Sequence, residues 1–254
     1  MSVLTANYLT KIYGDKKGNY TTKALDGIDL TIEEGDFIAI MGPSGSGKST
    51  LVSILSGIMA PSSGSVEIGG DRTDQLNPYE MALFRRRKLG FVFQEFNLLD
   101  NLTLKENIML PMVLDKKDSK YMDKKAIEVM KLFGIDQIAN QRPYQSSGGQ
   151  QQRAAVCRAL VNDPMILFAD EPTGNLDSKS ANTVMNCFEQ INQERMVTVL
   201  MVTHDVFAAS FCKKVIFIKD GKIFMDIVRR GTRKEFFEQI LDCQAIVGGE
   251  NSDL

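Results

Sequence analysis

A chain of 254 residues with 43% hydrophobic content has enough apolar material for one large α/β domain, or for a domain carrying an inserted lobe. Its formal charge of −2 offers no whole-molecule attraction to nucleic acid or to an anionic membrane, so any such contact must be local. Cys157, Cys187, Cys212 and Cys243 lie far apart and form no C-x-x-C pair, which argues against a zinc site or disulfide framework and for a reducing, intracellular compartment.

No apolar run approaches the roughly 18 residues of a membrane span, and the start "MSVLTANYLTKIYG" lacks the charged and apolar regions of a leader. The expectation is a chain that reaches a membrane only through another subunit. Tyr13 and Tyr20 each offer an aromatic face for a purine, and spacing alone does not choose between them. Residues 24–42, "ALDGIDLTIEEGDFIAIMG", read as an alternating strand, a Glu-Glu-Gly turn and a short buried strand, "FIAI". "GPSGSGKST" follows at once and matches G-x-x-x-x-G-K-[ST] from Gly42 to Ser49; "KSTLVSILSGI" then has helical spacing. This is the strand, loop, helix context of a P-loop. Gly42, Ser44, Gly45, Ser46, Gly47, Lys48, Ser49 and Thr50 are the candidate phosphate-binding residues. The glycines let backbone N–H groups close round an anion, Lys48 reaches the β and γ oxygens, and the Ser49 hydroxyl ligates Mg²⁺.

Further along, Arg85 to Lys88 are read as solvated cations facing the negative end of a helix. "LGFVFQ" is a buried strand ending at Gln94, whose amide oxygen suits a Mg²⁺ shell or the orientation of a water. From Gln94 to about Tyr144 strand alternation disappears, which predicts a helical lobe, with "DKKDSKYMDKK" as a solvated connection. "YQSSGGQQQR" then places a second Ser-Gly-Gly turn at the head of a helix, another ready-made anion site. "MILFADEP" is a buried strand ending in two carboxylates that must divide their roles: Asp170 for the Mg²⁺ shell, Glu171 to polarise the attacking water. "TVLMVTH" is another apolar strand, and it brings His204, the sole histidine, to the same edge as the P-loop. "VIFIKDGKIF" reads as a hairpin on an Asp-Gly turn. The tail carries an amphipathic "RKEFFEQILDC" helix and a polar, flexible "GGENSDL".

The P-loop, Gln94, "SSGGQQQR", "LFADEPTGNLD" and "MVTHD", in that order, resemble the ATP-binding subunit of an ABC transporter from residue 3 to about 225. The resemblance implies a RecA-like P-loop NTPase core with an antiparallel β-subdomain and an α-helical subdomain inserted at about 95–160. Residues 226–254 would form an extension with a short helix. It favours Tyr13 for base stacking, and implies Glu171 as general base, His204 as switch histidine, Gln94 as the family's strand-end glutamine, Ser146 to Gln150 as signature, and Asn175, Leu176 and Asp177 as D-loop. It also implies that Ser147, Gly148, Gly149 and Gln150 act in trans on ATP held by a second copy, in a homodimer attached to an integral-membrane permease at the cytoplasmic face, without nucleic acid. Ser146 stands where the family usually has Leu. "IMGPSGSGKSTL" and "FADEPTGNLDSKSA" look like the lipoprotein-release and macrolide-export branch, while "MVTHDVFAASFCKKVIFIKDGKIF" and the tail are similar to ATPases of bacitracin-type resistance modules, which implies a sensor histidine kinase as a further partner. "GNLD", where "GALD" is expected of the bacitracin type, leans back toward lipoprotein release. A small-molecule kinase would share the P-loop but has no use for "SSGGQ" or "DEPTGNLD".

Overall fold

The computed structural model describes residues 1–14 and 21–249, so Tyr20 and the last five residues lie outside it. Strands β1 (Ser2–Gly14), β2 (Thr21–Glu33), β4 (Ser63–Ile68) and β5 (Asp71–Arg72) form an antiparallel sheet in the order β2-β1-β4-β5. Strands β3 (Phe37–Met41), β6 (Leu89–Val92), β7 (Ile166–Asp170), β8 (Val199–Val202), β9 (Lys214–Lys219) and β10 (Lys222–Val228) form a second sheet, ordered β10-β9-β3-β8-β7-β6. It is parallel except for the β9–β10 hairpin.

The central strands read as unbroken apolar runs because both of their faces are covered. Phe37, Ala39 and Met41 of β3 enter one core, and Ile38 and Ile40 enter the other. The same alternation sorts β7, β8 and β9. One core is closed by α1 (Lys48–Leu55) and the antiparallel sheet. The other is closed by α3 (Leu104–Leu114), α4 (Ser119–Leu132), α5 (Gly148–Leu160), α6 (Ser178–Arg195) and α8 (Arg233–Gly248). Because the strands are parallel, Met41, Val92, Asp170 and Val202 end at a common edge. The chemistry-bearing loops therefore leave from one side of the sheet.

Three expectations need correcting. Only residues 115–118 of the charge run are a connection; Asp118 caps α4 by accepting from the Tyr121 N–H (3.1 Å), and the rest of the run lies in that helix. Asp115 is not solvated: its side chain is 6% exposed and bridges Arg86 and Arg87, at 3.4 and 3.1 Å. Those arginines sit in the last turn of α2 (Pro78–Lys88), and Arg85 donates to the Gly57 carbonyl at 2.7 Å. Arg85 and Arg86 are thus drawn from solvent by the Gly57 and Leu114 carbonyls and the Asp115 carboxylate, while Arg87 and Lys88 stay exposed and all four stand in the last turn of α2, as expected. Finally, a boundary at 225 would cut β10, and the helix of the tail spans 16 residues rather than being short. Phe236, Ile240, Cys243 and Val247 bury its inner face in the larger core, and the Arg233 guanidinium lies over the Phe211 ring, 4.2 Å from its centroid. Among the described residues no helix is long and apolar enough to cross a membrane.

Candidate active site

The P-loop turns from β3 into α1 with Gly42, Gly45 and Gly47 at φ of 151°, 78° and 104°. A Cβ on Gly42 would stand 2.1 Å from the Ile218 carbonyl oxygen, and one on Gly47 2.4 Å from that of Ala24, so both positions demand glycine on space as well as on φ. Gly47 opens α1 without a side-chain cap, which leaves the first N–H groups of the helix free to meet an anion. The Ser46 hydroxyl is buried without a partner among the described residues. Lys48 donates to the Gly42 and Pro43 carbonyls, both at 2.9 Å. Partial burial lowers its pKa, and the nearby charges of Glu171 and Asp170 oppose that. Ser44 and Gly45 are exposed on the loop, and Ser49 is exposed in the first turn of α1. The Tyr13 hydroxyl is 3.4 Å from that of Thr50, which puts this exposed tyrosine beside the first turn of α1.

The strand before the carboxylates ends at Asp170, and Glu171 leaves it with φ 45°. That break in alternation is what lets two neighbouring carboxylates approach one site in different roles. Burial holds the Asp170 carboxyl above its ordinary range; Glu171 adds to the shift and Lys48 opposes it. A carboxyl whose folded pKa is raised stabilises the fold only while protonated, fully below the ordinary value of 3.8, and that contribution is lost as pH rises through the shifted value. Asp170→Asn is accordingly expected to raise Tm at pH 7, with the gain shrinking as pH is lowered toward 3.8, as read by thermal melts across that window.

Three donors converge on Glu171. The Thr203 hydroxyl donates to Oε2 at 3.1 Å, the His204 N–H donates to Oε1 at 3.1 Å, and His204 Nδ1 lies 2.7 Å from Oε1. The His204 side chain is 73% exposed and that of Glu171 only 17%. With Nδ1 engaged by the carboxylate, Nε2 is the ring nitrogen left for the γ-phosphate contact expected of a histidine at the P-loop edge. Gln94 lies two residues beyond the end of β6, not at the strand end, and its Nε2 donates to Asn175 Oδ1.

The Ser-Gly-Gly turn lies where two helix N-termini meet. Ser147 caps α5, accepting from the Gln150 N–H (3.3 Å), while Gln150 Oε1 accepts from the Ser147 N–H (2.8 Å). Asp177 caps α6 through the N–H groups of Lys179 and Ser180, both at 3.0 Å, and the Ser180 hydroxyl holds its carboxylate below the ordinary range. Gly149 lets the two helices meet, since a Cβ there would stand 2.8 Å from Ser180 Oγ. Between them lies a 340 Å³ cleft lined by Ser147, Gly149, Arg153, Asp177, Lys179, Ser180 and Thr183, with no P-loop residue. Gly148 faces Leu176 and Phe96 instead. Ser146, in place of a leucine, donates to Gln141 Oε1 at 3.3 Å, so the hydroxyl is satisfied behind the turn.

Sequence reading missed Thr203, Arg153, Lys179, Ser180 and Thr183. Helical spacing carried a signal for four of them: Arg153 lies one turn after Gln150, and Lys179, Ser180 and Thr183 occupy the first two turns after Asp177. Nothing in the sequence pointed to Thr203.

A parallel sheet with a glycine-strained P-loop at the head of α1 and a carboxylate pair at the adjacent strand end defines a P-loop nucleotide triphosphatase. A sequence profile for the ABC transporter matches residues 25–174. The chain belongs to that family, and it is an ATP-binding cassette ATPase that converts ATP and water to ADP and phosphate. It is 46% identical over 254 residues to the bacitracin export ATP-binding protein BceA of Halalkalibacterium halodurans, covering 100% of both chains. The lipoprotein-releasing system ATP-binding protein LolD 1 of Rhodopseudomonas palustris is 46% identical over 203 residues, 80% of this chain and 90% of that one. Among solved structures, the dimeric post-hydrolysis state of the cassette MJ0796 from Methanocaldococcus jannaschii, bound to ADP and Pi, superimposes with a TM-score of 0.80 at 40% identity, covering 90% of this chain and 99% of that one.

Proposed function

We propose that two copies of this chain close head to tail on two ATP molecules and drive a membrane permease that exports peptide antibiotics of the bacitracin type. Each nucleotide lies between Gly42–Thr50 of one copy, with Tyr13 on the purine, and Ser147, Gly148, Gly149, Gln150 and Asp177 of the other. The separation of the α5–α6 cleft from the P-loop supports this, because a second anion site with no P-loop residue in its wall needs a second source of phosphate. The dimeric form of the MJ0796 cassette also supports it.

Glu171 takes the proton of the attacking water, while Thr203 and His204 keep its carboxylate aimed. Ser49, Gln94 and Asp170 supply hydroxyl, amide and carboxylate oxygens, a hard donor set that fits Mg²⁺ alongside phosphate oxygens. When bound, the ion neutralises charge on the β- and γ-phosphates. Lys48 adds a fixed cation, and the water-excluding closure is completed only when the copies meet. The permease is expected to seat a helix near Glu95, Phe96 and Tyr144, a residue that is 66% exposed. That holds the ATPase peripherally at the cytoplasmic face. Neither of the two relatives, BceA and LolD 1, is named for a sensor kinase.

The end-to-end similarity to BceA carries the peptide-export reading, whereas the LolD 1 match leaves a fifth of this chain uncovered. Lipoprotein release is the second reading, favoured by Asn175 in "GNLD". Purifying the chain with its native membrane partner and measuring ATP turnover separates the two: bacitracin should stimulate the complex, and stimulation by a lipoprotein alone would favour the second.

A further inference from the structure

Asn175 has no part in the chemistry described above, yet it trades two hydrogen bonds with a single residue. Its Oδ1 accepts from Gln94 Nε2 and its Nδ2 donates to the Gln94 backbone carbonyl, both at 3.1 Å. Gly174 completes the seat, for a Cβ there would stand 2.8 Å from Gln94 Nε2 and 3.0 Å from its Cδ. The seat is rigid: the Gly174 N–H closes on the Glu171 carbonyl at 3.0 Å and the Leu176 N–H on that of Thr173 at 3.1 Å. Arg158 of α5 also donates to the carbonyls of Phe96 and Asn97, which hold positive φ of 59° and 49°. The segment bearing Gln94 is thus fixed between α5 and the turn after Glu171.

The orientation of both amides follows from one group that can only accept. The Gln94 carbonyl requires Asn175 to present its Nδ2, so Oδ1 is the end that meets the glutamine side chain. Gln94 must then offer Nε2, which leaves Oε1 as its free end. Turning either amide over would set oxygen against oxygen or N–H against N–H. We propose that Asn175 is a positioning residue that locks the Gln94 side chain with its acceptor end free, so that an oxygen rather than an N–H group is presented to the divalent cation of the nucleotide site. This rests on the reading of Gln94 as a cation ligand. It also joins the segment near the expected permease contact to the turn that carries the general base.

The test titrates Mn²⁺ against the full chain with saturating AMP-PNP, reading free Mn²⁺ by electron paramagnetic resonance. Asn175 is exposed, so Asn175→Ala is compatible with the fold, and Asn175→Leu keeps the volume while removing both bonds. Each is expected to weaken Mn²⁺ binding about 3- to 10-fold, the worth of an exposed hydrogen bond, with AMP-PNP affinity measured without metal unchanged. In a Gln94→Ala background, where Mn²⁺ binding is already weakened, adding Asn175→Ala should change nothing further. Wild-type Mn²⁺ affinity in both Asn175 variants, or full additivity in the double variant, would overturn the positioning role while leaving Gln94 as a ligand. Unchanged Mn²⁺ affinity in Gln94→Ala itself would remove the ligand reading, and this inference with it.

Discussion

Glu171→Gln is expected to bind ATP as the native chain does and to lose turnover by about 10²-fold or more, the scale of a missing general base. The geometry sharpens this. Glutamine keeps the size of the side chain and an oxygen for the Thr203 hydroxyl or the His204 N–H, so the clamp around position 171 can largely persist. What disappears is the capacity to take a proton. Single-turnover phosphate release with nucleotide affinity measured in parallel reads both quantities, and near-native turnover would remove Glu171 from the role. His204→Ala provides a contrast, because it removes one aiming contact and leaves the base in place. Its loss of turnover should be smaller than that of Glu171→Gln.

Ser147→Arg carries the other large effect. Monomer affinity for ATP should stay near the native value, since no P-loop residue lines the cleft that Ser147 borders. Hydrolysis should fall by about 10²- to 10³-fold, as when a preorganised anion donor is withdrawn. Loss of the α5 cap will cost about 1 kcal/mol of stability, so a melt accompanies the assay to separate weakened folding from lost chemistry. A large drop in monomer affinity would place Ser147 at the nucleotide of its own copy.

Much of this site was legible in the sequence because local chemistry dictates it. The P-loop needs glycine where a Cβ would strike Ile218 or Ala24 backbone, and such a loop repeats in sequence what it needs in space. The buried strands announced themselves as apolar runs, and two cores claim their alternate residues. Long-range side-chain pairing left no comparable trace. Asp115 looked like one member of a charge run until Arg86 and Arg87, 28 to 29 residues away, were found to claim it. Thr203 looked like a strand-end β-branched residue, although its hydroxyl also accepts from the Asp205 N–H at 3.0 Å and so sets the turn that carries His204. The tail was underestimated for a related reason: the 16-residue α8 is anchored by four side chains about a turn apart, and only the larger core reveals what they pack against.

The most direct check is the structure of Glu171→Gln crystallised with ATP and Mg²⁺. The proposed assembly places each triphosphate within hydrogen-bond reach, about 2.7–3.2 Å, of Lys48 from one copy and of the partner subunit's Ser147 and the partner subunit's Gly149. ATP bound with the α5 N-terminus turned away from every phosphate, together with native turnover by a chain that sediments as a monomer, would contradict it.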